Sequence, residues 1–123
     1  MKVKLGKQEI ELSTPASYAV RHEVVAAGAS NVQRAFAAAL GVCAPRVGRM
    51  LGKQGGKQIT YEGCQYQPLR YGGELIDGLV AAGVPLVEVL EAGGEAFRLL
   101  ADSLISEAEV SAAEGNSEPP MGG

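Results

Sequence analysis

The segment SNVQRAFAAALGVCAP, residues 30–45, carries one continuous hydrophobic stripe at helical spacing. Its apolar positions recur at i, i+4, i+7, i+8 and i+11, which is the pattern of a single buried helix face. Ser30 and Gln33 have the spacing of a capping box at its start, and Pro45 closes it. The segment therefore predicts a buried helix with a core face of Val32, Phe36, Ala39, Leu40 and Cys43.

The residues before this helix predict a β-hairpin and a first helix. Apolar and polar residues alternate over residues 2–5 and 8–12 around a Gly-Lys pair, which suits a two-residue type II′ turn. The Thr-Pro pair at 14–15 is typical of a helix start, and we expect that helix to run to Gly28.

The residues that follow the buried helix predict a loop, a second hairpin and a short helix. Residues 46–57 are basic and rich in glycine, which predicts a flexible loop. Alternation resumes in QITYEGCQYQ, residues 58–67, and predicts a second short hairpin. Gly72 and Gly73 then open a short helix that ends at Gly83.

The final helix is predicted to be the longest and to start at Pro85. Its helical spacing continues across Gly93 and Gly94, which indicates either another backbone packed closely there or a kink. Ser106 is expected to begin a separate short acidic helix. The residues after Glu114 contain no core former and are expected to be disordered.

These segments predict an α+β fold: a mainly helical single domain of four to five helices with an N-terminal hairpin and a second short hairpin. Residues 1–105 form the globular domain, and residues 106–123 form the short acidic helix and the disordered tail. A chain of 123 residues with 46% hydrophobic and 20% charged residues has the composition of one ordinary globular domain.

Charge is distributed unevenly along the chain, whose formal net charge is −3. Residues 1–70 hold ten basic and four acidic side chains, a net of +6, and residues 71–123 hold one and ten, a net of −9. The two halves can neutralise each other internally, pair head to tail with a neighbouring copy, or present two electrically distinct surfaces to partners.

The sequence also favours a cytoplasmic location without a membrane segment. The first residues alternate in polarity and lack the apolar core of a secretory signal. No apolar run approaches the ~20 residues that span a bilayer, and two cysteines are too few for a disulfide framework.

The stretch LGKQGGKQ, residues 51–58, superficially suggests a phosphate-binding loop. A Walker motif needs a glycine, four residues and then Gly-Lys-Ser/Thr. Both registers fail at the first glycine and at the hydroxyl residue, and the stretch leads into a predicted strand instead of a helix. The sequence therefore predicts no nucleotide cofactor.

The remaining candidates for chemistry do not form a recognisable set. His22 is the only histidine, and Cys43 and Cys64 lie far from it and from each other in the sequence, which does not match a zinc site. A cysteine–histidine nucleophile pair remains an alternative. The carboxylates of Glu74 and Asp77 stand a turn apart without a companion acid, base or nucleophile. We therefore predict a protein that is not an enzyme and has no metal or cofactor.

Three features are candidates for partner binding. The basic loop can attract an acidic protein or a phosphate backbone, and nucleic-acid binding by it is the alternative function. An acidic stripe on the last helix is either a solvated face or a docking face. The glycine pair can receive a partner's helix or pack within the domain. The residues are Arg46, Arg49, Lys53 and Lys57 in the loop, Glu88, Glu91 and Glu95 in the stripe, and Gly93 with Gly94.

The order of segments resembles a known family. VKLGKQEIEL leads into TPASYAVRHEVV, then QRAFAAALGVC, then LRYGGELIDGLVAAGVPLVEVLEAGGEAF and an acidic end. This layout resembles the small tail-assembly proteins, or tail assembly chaperones, of long-tailed bacteriophages and prophages. The resemblance implies a non-enzymatic helper that binds another tail protein, such as the tape measure or the tail tube, and self-association is compatible with it.

Overall fold

The computed structural model of the protein describes residues 1–117, and their side chains as far as Glu107. Within that part of the chain, two strands are followed by five helices, so the fold is α+β and mainly helical, as predicted. The elements are β1 Lys2–Leu5, β2 Gln8–Glu11, α1 Tyr18–Ala27, α2 Val32–Cys43, α3 Arg46–Lys53, α4 Pro68–Ala81 and α5 Leu86–Ser117.

The N-terminal hairpin is confirmed. β1 and β2 pair antiparallel, with Val3 opposite Ile10 and Leu5 opposite Gln8, which leaves a two-residue turn. Gly6 occupies that turn with φ +65°, as a type II′ turn requires of its first central residue. Val3, Leu5 and Ile10 are buried, so one face of the hairpin covers the helices.

Helix α2 lies at the centre of the domain and packs against both α4 and α5. Its segment Ala37–Leu40 is fully buried. Small residues allow this close packing: a Cβ on Gly72 of α4 would overlap the carbonyl oxygen of Arg34, and one on Gly93 of α5 would crowd that of Phe36. The predicted buried helix is therefore correct for Ala39, Leu40 and Cys43, but Phe36 is only half-buried and Val32 is exposed at the first turn. The N-cap is Asn31 and not Ser30.

The predicted flexible loop at 46–57 is wrong over most of its length, because residues 46–53 form α3. Val47 and Leu51, one turn apart, are buried under the helix, and this packing stabilises a segment too short to be helical alone. Residues 54–57 do form an exposed turn.

The predicted second hairpin at 58–67 is also wrong. In the part of the chain that the structure describes, the sheet contains only β1 and β2. Residues 60–67 form consecutive turns, in which Cys64 N–H donates to the Thr60 carbonyl and Tyr66 N–H to the Tyr61 carbonyl. Ile59 and Cys64 are both buried here. They are five positions apart, so a regular strand would place them on opposite faces.

Helix boundaries differ from the prediction where a cap was misread. Helix α1 begins after Ser17, whose side-chain oxygen accepts from Val20 N–H, and not at the Thr-Pro pair. Helix α4 begins at Pro68, so Gly72 and Gly73 lie inside it. Proline has no backbone N–H, and the first residue of a helix has no acceptor for one, so Pro68 suits this position and explains the earlier start.

The separate acidic helix predicted from Ser106 is wrong, because α5 is continuous from Leu86 to Ser117. At 1.5 Å per residue this helix is about 48 Å long. The predicted disordered tail is helical at residues 115–117, and its last six positions, 118–123, lie outside the described residues.

Candidate functional site

A groove lies between the hairpin and α5, with Phe36 of α2 between them. Its volume is about 680 Å³. Phe36, Leu90 and Gly94 are half-buried in it. The exposed side chains of Lys2 and Lys4 line the β1 side, and those of Glu91 and Glu95 line the α5 side. The groove is therefore apolar within and oppositely charged on its two sides.

The predicted glycine pair is divided between two roles. Gly93 is buried, and an added Cβ would lie 2.5 Å from the Phe36 carbonyl oxygen, so the close packing at this glycine is internal to the domain. Gly94 lines the groove, where an added Cβ would be 3.4 Å from the Phe36 ring. The Phe36 and Phe97 rings pack 5.1 Å apart and support the groove from below.

The acidic stripe is divided as well. The carboxylate of Glu88 accepts the backbone N–H of Gly6 at 3.0 Å, which ties the hairpin turn to α5. Glu91 and Glu95 form no ion pair with any described residue. The structure therefore gives Glu88 a structural contact and leaves its two neighbours facing the groove.

The predicted basic residues lie away from this groove. Arg46, Arg49 and Lys53 are exposed on one face of α3, opposite the buried Val47. Lys57 lines a second groove of about 580 Å³, together with the carboxylate residues Glu74 and Asp77 of α4 and the buried Leu51.

Few ion pairs join the basic first half of the chain to its acidic second half within the residues that the structure describes. Among the described residues, ion pairs join the N-terminal amine to Glu11, Arg21 to Glu107 and Arg70 to Glu74. The Arg21–Glu107 pair, at 2.6 Å, links α1 to α5. Sequence reasoning missed Arg21, although its position three residues before the buried Val24 places it on the buried face of α1.

The candidate nucleophile and base, a cysteine and His22, are each in contact with other residues. His22 is exposed and stacks on Tyr18, with ring centroids 5.6 Å apart. The Cys43 thiol is buried and faces the Ala96 carbonyl at 3.9 Å. The Cys64 thiol is also buried and donates to the Glu74 carboxylate at 2.9 Å.

Both thiols are held in the protonated form. Burial raises the pKa of Cys43 to about 12. Burial, followed by the hydrogen bond to Glu74, raises the pKa of Cys64 to about 11. The same hydrogen bond lowers the pKa of the Glu74 carboxyl. A nucleophilic cysteine needs a lowered pKa, so this arrangement favours packing over catalysis.

These raised pKa values predict a loss of stability at alkaline pH. An unfolded thiol titrates near pH 8.5, well before either folded thiol, so the unfolded state releases protons first and the free energy of unfolding falls as pH rises. We expect each thiol to contribute a loss of roughly 2 kcal/mol between pH 8 and pH 10.5. Urea unfolding at the two pH values measures it.

The single variants Cys43→Ala and Cys64→Ala supply the control. Each should show a smaller difference between the two pH values than the unmodified protein. An unchanged difference in both would mean that these thiols ionise alike in the folded and unfolded states.

Within the described residues, no helix is both long and apolar enough to cross a membrane. No group of three or more His, Cys, Asp or Glu side chains in that part of the chain is placed to hold a metal ion. No protein-family model, curated protein or solved structure matches the chain.

Proposed function

We propose that the chain is a non-enzymatic assembly protein that holds an amphipathic helix of another protein in the groove between β1 and α5. The observation that carries this proposal is the groove itself, with Phe36, Leu90 and Gly94 inside and opposite charges on its two sides. Helix-in-groove recognition uses this combination of an apolar interior and polar edges.

The charges define the partner's chemistry and its orientation. Glu91 and Glu95 stand one helical turn apart, so a partner helix with Lys or Arg at the same spacing can pair with both. Lys2 and Lys4 are exposed on the facing strand and suit acidic residues on the opposite flank of that helix. Such complementarity fixes register and orientation more than it adds affinity.

The resemblance to tail assembly chaperones supplies a specific version of this proposal. The partner is then another tail protein, such as the tape measure or the tail tube, and the encounter takes place in the cytoplasm of a bacterial host. Long helical proteins with apolar stripes are prone to aggregate before assembly, and covering one stripe in a groove counters this.

Filling the groove at Gly94 tests the proposal. Gly94→Met places a flexible apolar side chain beside Phe36 and improves helix propensity by up to about 1 kcal/mol, so the fold should be retained. Co-expression with the longest helical protein encoded beside this one, followed by co-purification and sizing, should show loss of the complex. Gly73→Met, at a helical glycine of α4 with ordinary room beside Arg34, is the matched control and should retain it.

Charge reversal gives a second measurement on the same groove. Glu91→Lys with Glu95→Lys should weaken co-purification at low salt. If Gly94→Met and this double variant both hold the partner as well as the unmodified protein, the groove is not the binding site.

The acidic end can be tested separately if Glu107 is kept. A chain truncated after Ile105 loses the partner of the buried Arg21, so reduced binding would be confounded with reduced stability. Truncation after Glu107 retains this ion pair and removes only later residues.

A further inference from the structure

Helix α3 presents a uniformly basic face. Arg46, Arg49 and Lys53 stand at i, i+3 and i+7, which places all three on the side opposite the buried Val47 and Leu51. Each is exposed, and none lies within ion-pairing distance of a carboxylate of the described residues. The fold therefore holds three positive charges along one side of a helix without neutralising them.

A cluster of tyrosines adjoins this face. Tyr61 packs edge-on against Tyr66, with centroids 5.4 Å apart, and obliquely against Tyr71 at 5.2 Å. Arg49, Tyr61 and Tyr71 are among the residues that line a pocket of about 200 Å³, whose other walls are mostly apolar. The structure thus brings a guanidinium and aromatic rings together, whereas the sequence alone assigned them to a loop and to a hairpin.

The turn that carries Tyr66 has an unfavourable backbone. Gln65 and Tyr66 both adopt left-handed conformations, with φ +58° and +56°. Glycine or asparagine usually occupies such positions, and tyrosine is disfavoured there. In this turn Tyr66 is 54% exposed. The neighbouring Tyr61 is held in place by its hydroxyl, which donates to the Glu23 carboxylate at 3.0 Å. Local strain of this kind is found at binding sites, where the surrounding structure maintains it.

We infer that α3 and the Tyr61–Tyr66 turn form a surface that binds single-stranded nucleic acid. Arg46, Arg49 and Lys53 contact successive phosphates, and Tyr66 stacks on an unpaired base. Single strands suit this surface because their bases are free to stack, whereas those of a duplex are not. The inference concerns a different surface from the groove and does not depend on the proposed function.

Fluorescence anisotropy with labelled oligo(dT) and oligo(U) of 20 nucleotides tests this inference. Binding is expected at 20 mM salt and should fall roughly 20-fold between 50 and 200 mM, as three phosphate contacts on a single strand imply. The two oligonucleotides distinguish DNA from RNA, and a 20-base-pair duplex should bind more weakly than either.

Neutral variants locate the surface. Arg46→Gln with Arg49→Gln should reduce affinity roughly tenfold. It should also reduce the slope of log affinity against log salt concentration by about 1.4, because two contacts of about 0.7 each are removed. Arg34→Gln with Arg98→Gln makes the same change of charge at exposed arginines on other helices and is the matched control. Circular dichroism checks that both double variants are folded.

Tyr66→Asn tests the contribution of the aromatic ring without changing the charge of the surface. Asparagine suits the left-handed backbone, so folding should not suffer, while loss of the stacking ring should weaken binding roughly fivefold or more. The inference is overturned by absence of binding at 20 mM salt, by equal losses in the two double variants, or by an unchanged affinity of Tyr66→Asn. It is also overturned if poly-glutamate of equal charge competes as well as oligonucleotide, since the surface then recognises acidic chains in general.

Discussion

Gly72→Ala is expected to lower the free energy of unfolding by roughly 3 kcal/mol, although alanine is the better helix former. The added Cβ would overlap the carbonyl oxygen of Arg34 and lie 2.6 Å from its carbonyl carbon. Both atoms belong to the backbone of α2, so no side chain can turn aside and the two helices must separate. Overpacking typically costs about 1–3 kcal/mol and occasionally more. An overlap with backbone atoms places this case above that range, at about 4 kcal/mol, from which the gain in helix propensity of about 1 kcal/mol is subtracted.

Gly73→Ala is the matched control for this change. Its added Cβ would meet only side-chain atoms of Arg34, at 3.5 Å, which is ordinary contact. This variant should therefore be more stable than the unmodified protein by about 0.5–1 kcal/mol. Urea unfolding of the two neighbours gives effects of opposite sign if α2 and α4 are packed as described, and two stabilised variants would contradict that packing.

Arg21→Ala is expected to cost about 3 kcal/mol. The guanidinium donates to the carbonyls of Ser17 and Ala16, to the Ser103 hydroxyl at 3.3 Å and to the Glu107 carboxylate at 2.6 Å. The residue is only 6% exposed, so its aliphatic part is lost from the packing of α1 on α5 together with these bonds. The lost packing and the four lost hydrogen bonds account for this cost, since the Glu107 carboxylate that remains is half exposed to water.

The two partners should respond unequally. Glu107→Gln keeps a hydrogen-bond acceptor for the guanidinium but leaves the charge of the buried Arg21 uncompensated. Because the Glu107 side chain is 52% exposed and water moderates the loss, we expect a cost of about 1–2 kcal/mol, less than that of Arg21→Ala. His22→Ala, next to Arg21 but exposed, should change stability by less than about 0.5 kcal/mol. Thermal and urea unfolding measure all three, and an Arg21→Ala variant as stable as His22→Ala would show that the pair does not anchor α5.

Parts of the candidate site could be predicted from the sequence. The spacing of Glu91 and Glu95 identified an exposed acidic side of the last helix, and Gly93 and Gly94 were identified together as a pair that either receives a partner's helix or packs within the domain. The opposing Lys2 and Lys4 could not be assigned to the same groove, because nearly 90 residues separate them from Glu91. Nothing in the pattern distinguished Gly93 from Gly94 either, since their difference depends on where Phe36 of α2 lies.

Local patterns determined the hairpin around Gly6 and the helix α2 with most of its buried stripe. These features depend on turn chemistry and on periodicity, both of which are contained in residues close in sequence. They also determined the mainly helical α+β class.

Only the tertiary structure decided the remaining features. Residues 46–53 became helical because Val47 and Leu51 found a buried surface, which overrode the glycines. The alternation at 58–67 gave turns because Ile59 and Cys64 were drawn into the core from positions that no strand would place on one face. Arg21 was buried because Glu107, at the far end of the chain, compensates its charge. In each case a contact between residues distant in sequence contributed more free energy than the local preference opposing it.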